Sequence, residues 1–89
     1  GRGYKKADCK KVYGAYSKIQ KYLTSSSVAC EDIALSVSMR HCFAALRQMC
    51  KLGIPFKEAI YNTMIGAIAI SDRGLAEKTF KDVIEVMKG

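Results

Sequence analysis

The stretch from Pro55 to Ser71 constrains this chain more than any other. It contains the longest uncharged run, Ala59 to Ser71, and Met64 to Ile70 is built only of Met, Ile, Gly and Ala. A helix of that composition must be covered on several sides. Gly53 suits the end of a preceding helix and Pro55 the first turn of the next, which predicts a helix over about 55–70. Its length falls short of the roughly 20 residues that span a bilayer, so the expected place for it is the middle of a core. Insertion into a membrane would require refolding or oligomerisation.

Four further helices can be read around it. From Cys9 the pattern has a helical period: Cys9, Val12, Tyr13, Tyr16, Ile19 and Leu23 share one arc, and Lys10, Lys11, Lys18 and Lys21 lie on the opposite one. Asp8 is a candidate cap for this helix, and residues 1–7 read as a mobile basic arm. Thr24 to Ser27 signals a turn. Val28 to Leu52 is long enough for one helix, but Ser36-Val37-Ser38 is its weak point, because serine hydroxyls compete for backbone hydrogen bonds and Ser38 can cap a helix starting at Met39. The alternation Ile33, Leu35, Val37, Met39 also admits a short strand. The preferred division is a helix from Val28 to about Val37 and another from Met39 to Leu52, with Met39, Cys42, Phe43, Leu46, Met49 and Cys50 on its apolar side. After the turn at Ser71 to Gly74, a last helix from Leu75 places Leu75, Phe80, Val83, Ile84 and Met87 inside, with Glu77 and Lys81 spaced for mutual support. No internal repeat and no interdomain linker interrupts the 89 residues. The expected fold is all-α: a single small bundle of four to five short helices around the central apolar one.

A core this small commonly needs additional support, and the chain has four cysteines, Cys9, Cys30, Cys42 and Cys50. They form no C-x-x-C pair, and the single histidine, His41, adjoins Cys42, so disulfides are favoured over a metal site and no metal or cofactor is implied. If successive helices alternate in direction, Cys9 meets Cys42 and Cys30 meets Cys50. Two such staples would place the protein in an oxidising compartment, most simply outside the cell. The absence of an initiator Met and of an apolar leader fits a mature product or a piece of a processed precursor, with which a partner subunit from that precursor would be compatible.

Charge provides the functional signal. Of the formal net charge of +7, +6 falls within the first 23 residues, carried by Arg2, Lys5, Lys6, Lys10, Lys11, Lys18 and Lys21 against Asp8 alone. Four of the five tyrosines are interleaved with them. Such a surface suits an anionic target. No nucleic-acid-binding motif accompanies it, and secretion argues against nucleic acid, so a membrane or cell surface leads. The acidic residues are scattered on helix exteriors with no paired carboxylates, and a Cys-His nucleophile at His41 would need a free Cys42 or Cys50. The expectation is therefore a secreted, non-enzymatic basic effector, toxin-like or antimicrobial, meeting an anionic cell or membrane surface through its first helix. Two alternatives stand beside it: a secreted recognition ligand (a signal, pheromone or host-directed inhibitor) that docks on an acidic protein receptor, and a small carrier of hydrophobic ligands held among Ile, Met and Phe side chains.

Overall fold

The structure, a computed structural model, describes residues 4–26 and 28–87, with the side chains of 26–30 excepted. Among the described residues the chain forms five helices and no strand. These are α1 (Lys6–Ser26), α2 (Val28–Ser36), α3 (Met39–Leu52), α4 (residues 56–71) and α5 (residues 73–84). The all-helical reading stands, and the region that admitted a strand is helical up to Ser36.

Helix α1 is longer at both ends than its apolar period suggests. It begins at Lys6, where the Cys9 N–H donates to Lys5 O at 3.0 Å. At the other end the Thr24 hydroxyl donates to Gln20 O at 2.9 Å and that of Ser25 to Tyr22 O at 3.2 Å. These hydroxyls bond back to the preceding turn, so the segment expected as a loop continues as helix. Val12, Ala15, Ile19 and Leu23 are fully buried along its inner face.

The expected break falls at Val37 and Ser38. Ser38 has extended backbone angles (φ −123°, ψ 175°), and its N–H donates to His41 Nδ1 at 3.1 Å while the His41 N–H returns to Ser38 O at 2.9 Å. His41 thus closes a capping box, the place usually held by Glu or Gln. The carbonyls released where α2 stops are taken by another helix: Gln20 Nε2 donates to Ala34 O at 2.8 Å and to Val37 O at 3.0 Å. One side chain therefore ties the middle of α1 to the corner between α2 and α3.

Helix α3 ends at Gly53, in the left-handed region (φ 68°), and the Ile54 N–H reaches back to Gln48 O at 3.0 Å. That bond satisfies a terminal carbonyl and depends on a residue that adopts positive φ without a Cβ penalty. Helix α4 comes next. Phe56, Ala59, Ile60, Thr63, Met64, Ile65, Ala67 and Ile68 are buried, and α1, α2, α3 and α5 all pack against it. It is the central helix the sequence predicts, except that Ile70, at its end, is 88% exposed.

Two π-wound turns interrupt the regular ladder, Tyr61–Ile65 in α4 and Phe80–Ile84 in α5. In the first the Gly66 N–H donates to Tyr61 O; in the second Glu85 N–H donates to Phe80 O at 2.9 Å. A threonine hydroxyl bonds to the carbonyl four residues earlier at each: Thr63 to Ala59 O (2.8 Å) and Thr79 to Leu75 O (2.7 Å). A hydroxyl competing for that carbonyl helps loosen the ladder there. The two turns face each other, with the Tyr61 and Phe80 rings edge to face at 4.9 Å. Asp72 caps α5 by accepting from the Leu75 N–H at 3.0 Å, and Lys57 Nζ donates to Glu85 O at 2.9 Å beyond its other end. Glu77, expected to support Lys81, accepts from the Tyr61 hydroxyl at 2.5 Å.

No disulfide joins the described cysteines. Cys9, Cys42 and Cys50 are free thiols, and the Cys30 side chain lies outside the described set. The reason is direction. Alternating helices would make α3 parallel to α1, but α2 is only nine residues long and α3 returns along α1 in the opposite sense. Gln20 meets Val37 at one end, and Asp8 Oδ2 meets Cys50 Sγ at 3.6 Å at the other. Cys50 therefore lies at the start of α1, while Cys30 comes after the end of α1, about 27 Å away along an 18-residue rise. Neither Cys9 with Cys42 nor Cys30 with Cys50 is joined.

Two substitutions test this framework. Gln20→Ala strands the Val37 carbonyl and leaves Ala34 O with only the Val37 N–H (3.2 Å), and is expected to cost about 1–3 kcal/mol of unfolding free energy in urea, with Gly53→Ala costing about 1 kcal/mol. A Gln20→Ala variant within about 0.3 kcal/mol of the parent would show that the α1 to α2 tie does not contribute.

Candidate functional site: a basic-rimmed apolar groove

The antiparallel register leaves a groove between the N-terminal half of α1 and α3, enclosing about 720 Å³. Val12, Cys42 and Leu46, all buried, form its floor. Cys9 and Tyr13 line it from α1, Met39 and Phe43 line it from α3, and Tyr4 closes one end. The walls are open to solvent: Tyr13 is 56% exposed and Phe43 59%. A shallower depression continues past Tyr4 and Phe43 to Arg47 and Leu52, the latter 68% exposed.

This groove explains a feature of the sequence that a core alone does not. The apolar arcs of α1 and α3 are each wider than one contact with the bundle needs. Half of each arc, Val12 with Ile19 and Cys42 with Leu46, turns inward; the other half, Tyr13 and Phe43 with Met39, turns toward the groove. The excess width was the signal available in the sequence, but it does not separate a wide buried face from a buried face beside an exposed one.

The predicted basic residues divide. Lys5, Lys6, Lys10, Lys18 and Lys21 are exposed. Lys11 is half-buried, its ammonium 5.2 Å from the centre of the Phe56 ring, where it helps hold α1 against the start of α4. Arg2 lies outside the described residues. Sequence reasoning missed Arg40 and Arg47, both exposed and spaced one turn on either side of Phe43. They put positive charge along the α3 side of the groove, as Lys6 and Lys10 do along α1. Asp8, the acidic residue of the α1 segment, is half-buried against Cys50.

The Cys42 thiol is not activated. Burial pushes the Cys42 thiol up from 9.0 to about 11, so it is protonated at neutral pH, and the neighbouring His41 ring is committed to the Ser38 backbone. Among the described residues no group of three or more His, Cys, Asp or Glu side chains is placed to hold a metal ion. Nor is any described helix long and apolar enough to cross a membrane. No protein-family model matches the chain, and neither a curated protein nor a solved structure does.

The raised Cys42 value carries a signed prediction. The folded state holds this proton to higher pH than the unfolded chain does, so the associated stabilisation is full below about 9 and is lost as pH rises toward about 11. Stability measured across that interval should fall more steeply for the parent than for Cys42→Ala. Iodoacetamide at about pH 8 should label exposed Cys50 well before Cys42 in the folded protein. Equal labelling of the two would contradict the burial of Cys42.

Proposed function

We propose that this chain is a non-enzymatic basic recognition module that captures an acidic partner through the outer face of α1. The observation that supports this reading is the set of exposed lysines on that helix, Lys6, Lys10, Lys18 and Lys21, joined by Lys5 just before it, while the local acidic residue, Asp8, is half-buried against a thiol. Charge arranged in this way steers a partner of opposite sign and fixes its orientation.

Of the two anionic targets, an acidic protein fits better than a membrane. An interfacial helix opposes its charged face with an apolar face that enters the lipid, but the inner face of α1 is occupied by the bundle. Helix α4, the other candidate for insertion, is buried on several sides. Effector or signalling activity outside the cell, with disulfide support, belongs to the same proposal. The observed register would favour a link between Cys50 and a thiol at the start of α1, with glutathione disulfide as the oxidant. Non-reducing peptide mapping of protein refolded with that oxidant tests this part: a Cys9 to Cys50 cross-link would support it, and no cross-link would remove the stapled form.

Binding to labelled poly-L-glutamate tests the charge reading. Affinity should fall about tenfold or more between about 20 and 200 mM salt. The triple variant Lys6→Glu, Lys10→Glu, Lys21→Glu should lose a similar factor, and undiminished binding by that variant would overturn the proposal. Phosphatidylcholine vesicles containing phosphatidylserine should show no leakage, whereas leakage at low salt would favour the membrane reading.

A further inference from the structure

We propose that the groove between α1 and α3 is a docking site for an acidic amphipathic helix of a partner protein. This deepens the reading above by naming the partner's form and seat, and it rests on that reading for the sign of the partner's charge.

Three observations converge. The first is chemical: the floor of Val12, Cys42 and Leu46 and the exposed walls of Tyr13 and Phe43 form a continuous apolar strip. Aromatic residues left more than half exposed beside a concavity are typical anchors of a recognition surface. The second is shape. The strip runs along α3 from Met39 to Leu52, about 20 Å at 1.5 Å per residue, and is open to solvent along its side. An enclosed small molecule would leave the outward faces of Tyr13, Phe43 and Leu52 wet. A helix of about 13 residues laid along the groove covers them, with its own side chains at i, i+3, i+4 and i+7 reaching the floor.

The third observation is electrostatic. Lys6 and Lys10 stand on the α1 side, and Arg40 and Arg47 stand one turn before and after Phe43 on the α3 side, all exposed. An apolar ridge flanked on both sides by Asp or Glu therefore complements the groove in both hydrophobicity and charge. A basic or neutral amphipathic helix would meet like charge or leave four cations unpaired. The arginines present planar, multi-donor groups suited to carboxylates.

The probe is a synthetic peptide of about 16 residues, helix-constrained, with Leu at i, i+3, i+4 and i+7 and Glu on the flanks, compared with a peptide of the same composition in scrambled order. Binding to the full chain is measured by titration calorimetry and by methyl chemical shifts at Val12, Met39 and Leu46. The patterned peptide is expected to bind at least about tenfold more tightly than the scrambled one and to shift those methyls. Phe43→Ala and Arg47→Glu should each weaken it about tenfold or more, and Lys78→Glu, at an exposed position on α5, should do so much less. Phe43 and Arg47 are exposed, so these changes leave the core intact, which thermal unfolding of the variants checks. Equal binding of both peptides would overturn the groove while leaving the charge reading in place; binding of neither at low salt would overturn both. Phe43-dependent binding to phosphatidylserine vesicles without peptide binding would overturn it in favour of lipid. Peptide-independent self-association lost in Phe43→Ala would overturn it in favour of a second copy of this chain.

Discussion

The architecture depends on the burial of α4. Its apolar surface is too broad for one neighbour to cover, so α1, α2, α3 and α5 pack around it and their directions derive from that task. Ile60, Met64, Ile65 and Ile68 are almost wholly removed from water, at roughly 1.5–3 kcal/mol of transfer free energy per side chain before the entropy of ordering them is deducted. Helices α1 and α3 both lean on α4 and on each other. Because they do so antiparallel, the outer halves of their apolar arcs meet on the same side. The groove is thus a by-product of how the core is closed, furnished with aromatic rings and cations that the core does not need.

Much of the scaffold was legible in the sequence, for local reasons. Gly53 and Pro55 punctuate the chain as a helix end and a helix start, and Ser38 marks the corner between α2 and α3. The uninterrupted run after Ala59 announces a buried helix. The features that were not legible depend on partners distant in sequence. Gln20 looks like any solvent-facing residue of α1, and only the folded chain shows it taking two carbonyls from the α2 corner. His41 looks like a potential reactive group, yet it serves as a cap. The π-wound turns leave no clear trace in hydrophobic periodicity, although Thr63 and Thr79 provide the hydroxyls that accompany them.

The direction of α3 was the consequential misreading. Strict alternation of helix directions is a fair assumption for long helices joined by tight loops, but the nine-residue α2 runs back along α1 only to the level of Gln20, and α3 continues in the same sense to Asp8. With α3 reversed, Cys30 and Cys50 separate, Cys50 moves beside Asp8, and Tyr13 comes to share a cleft with Phe43. The same reversal changed the view of the charge. Read from the sequence, the cations were a stripe on one helix; in the fold, part of that stripe becomes one rim of a groove, and Arg40 and Arg47 supply the other.

The antiparallel register of α1 and α3 underlies the groove, the free thiols and the placement of the cations, so it is the claim to test first. A nitroxide attached to Cys50 as the sole cysteine, in the Cys9→Ser, Cys30→Ser, Cys42→Ala background, reports it by paramagnetic broadening of backbone amides. The account predicts strong broadening in the first two turns of α1, around Asp8 and Lys11, with the amides of Glu31 and Asp32 unaffected. Broadening at Glu31 and Asp32 with α1's first turns left sharp would contradict it.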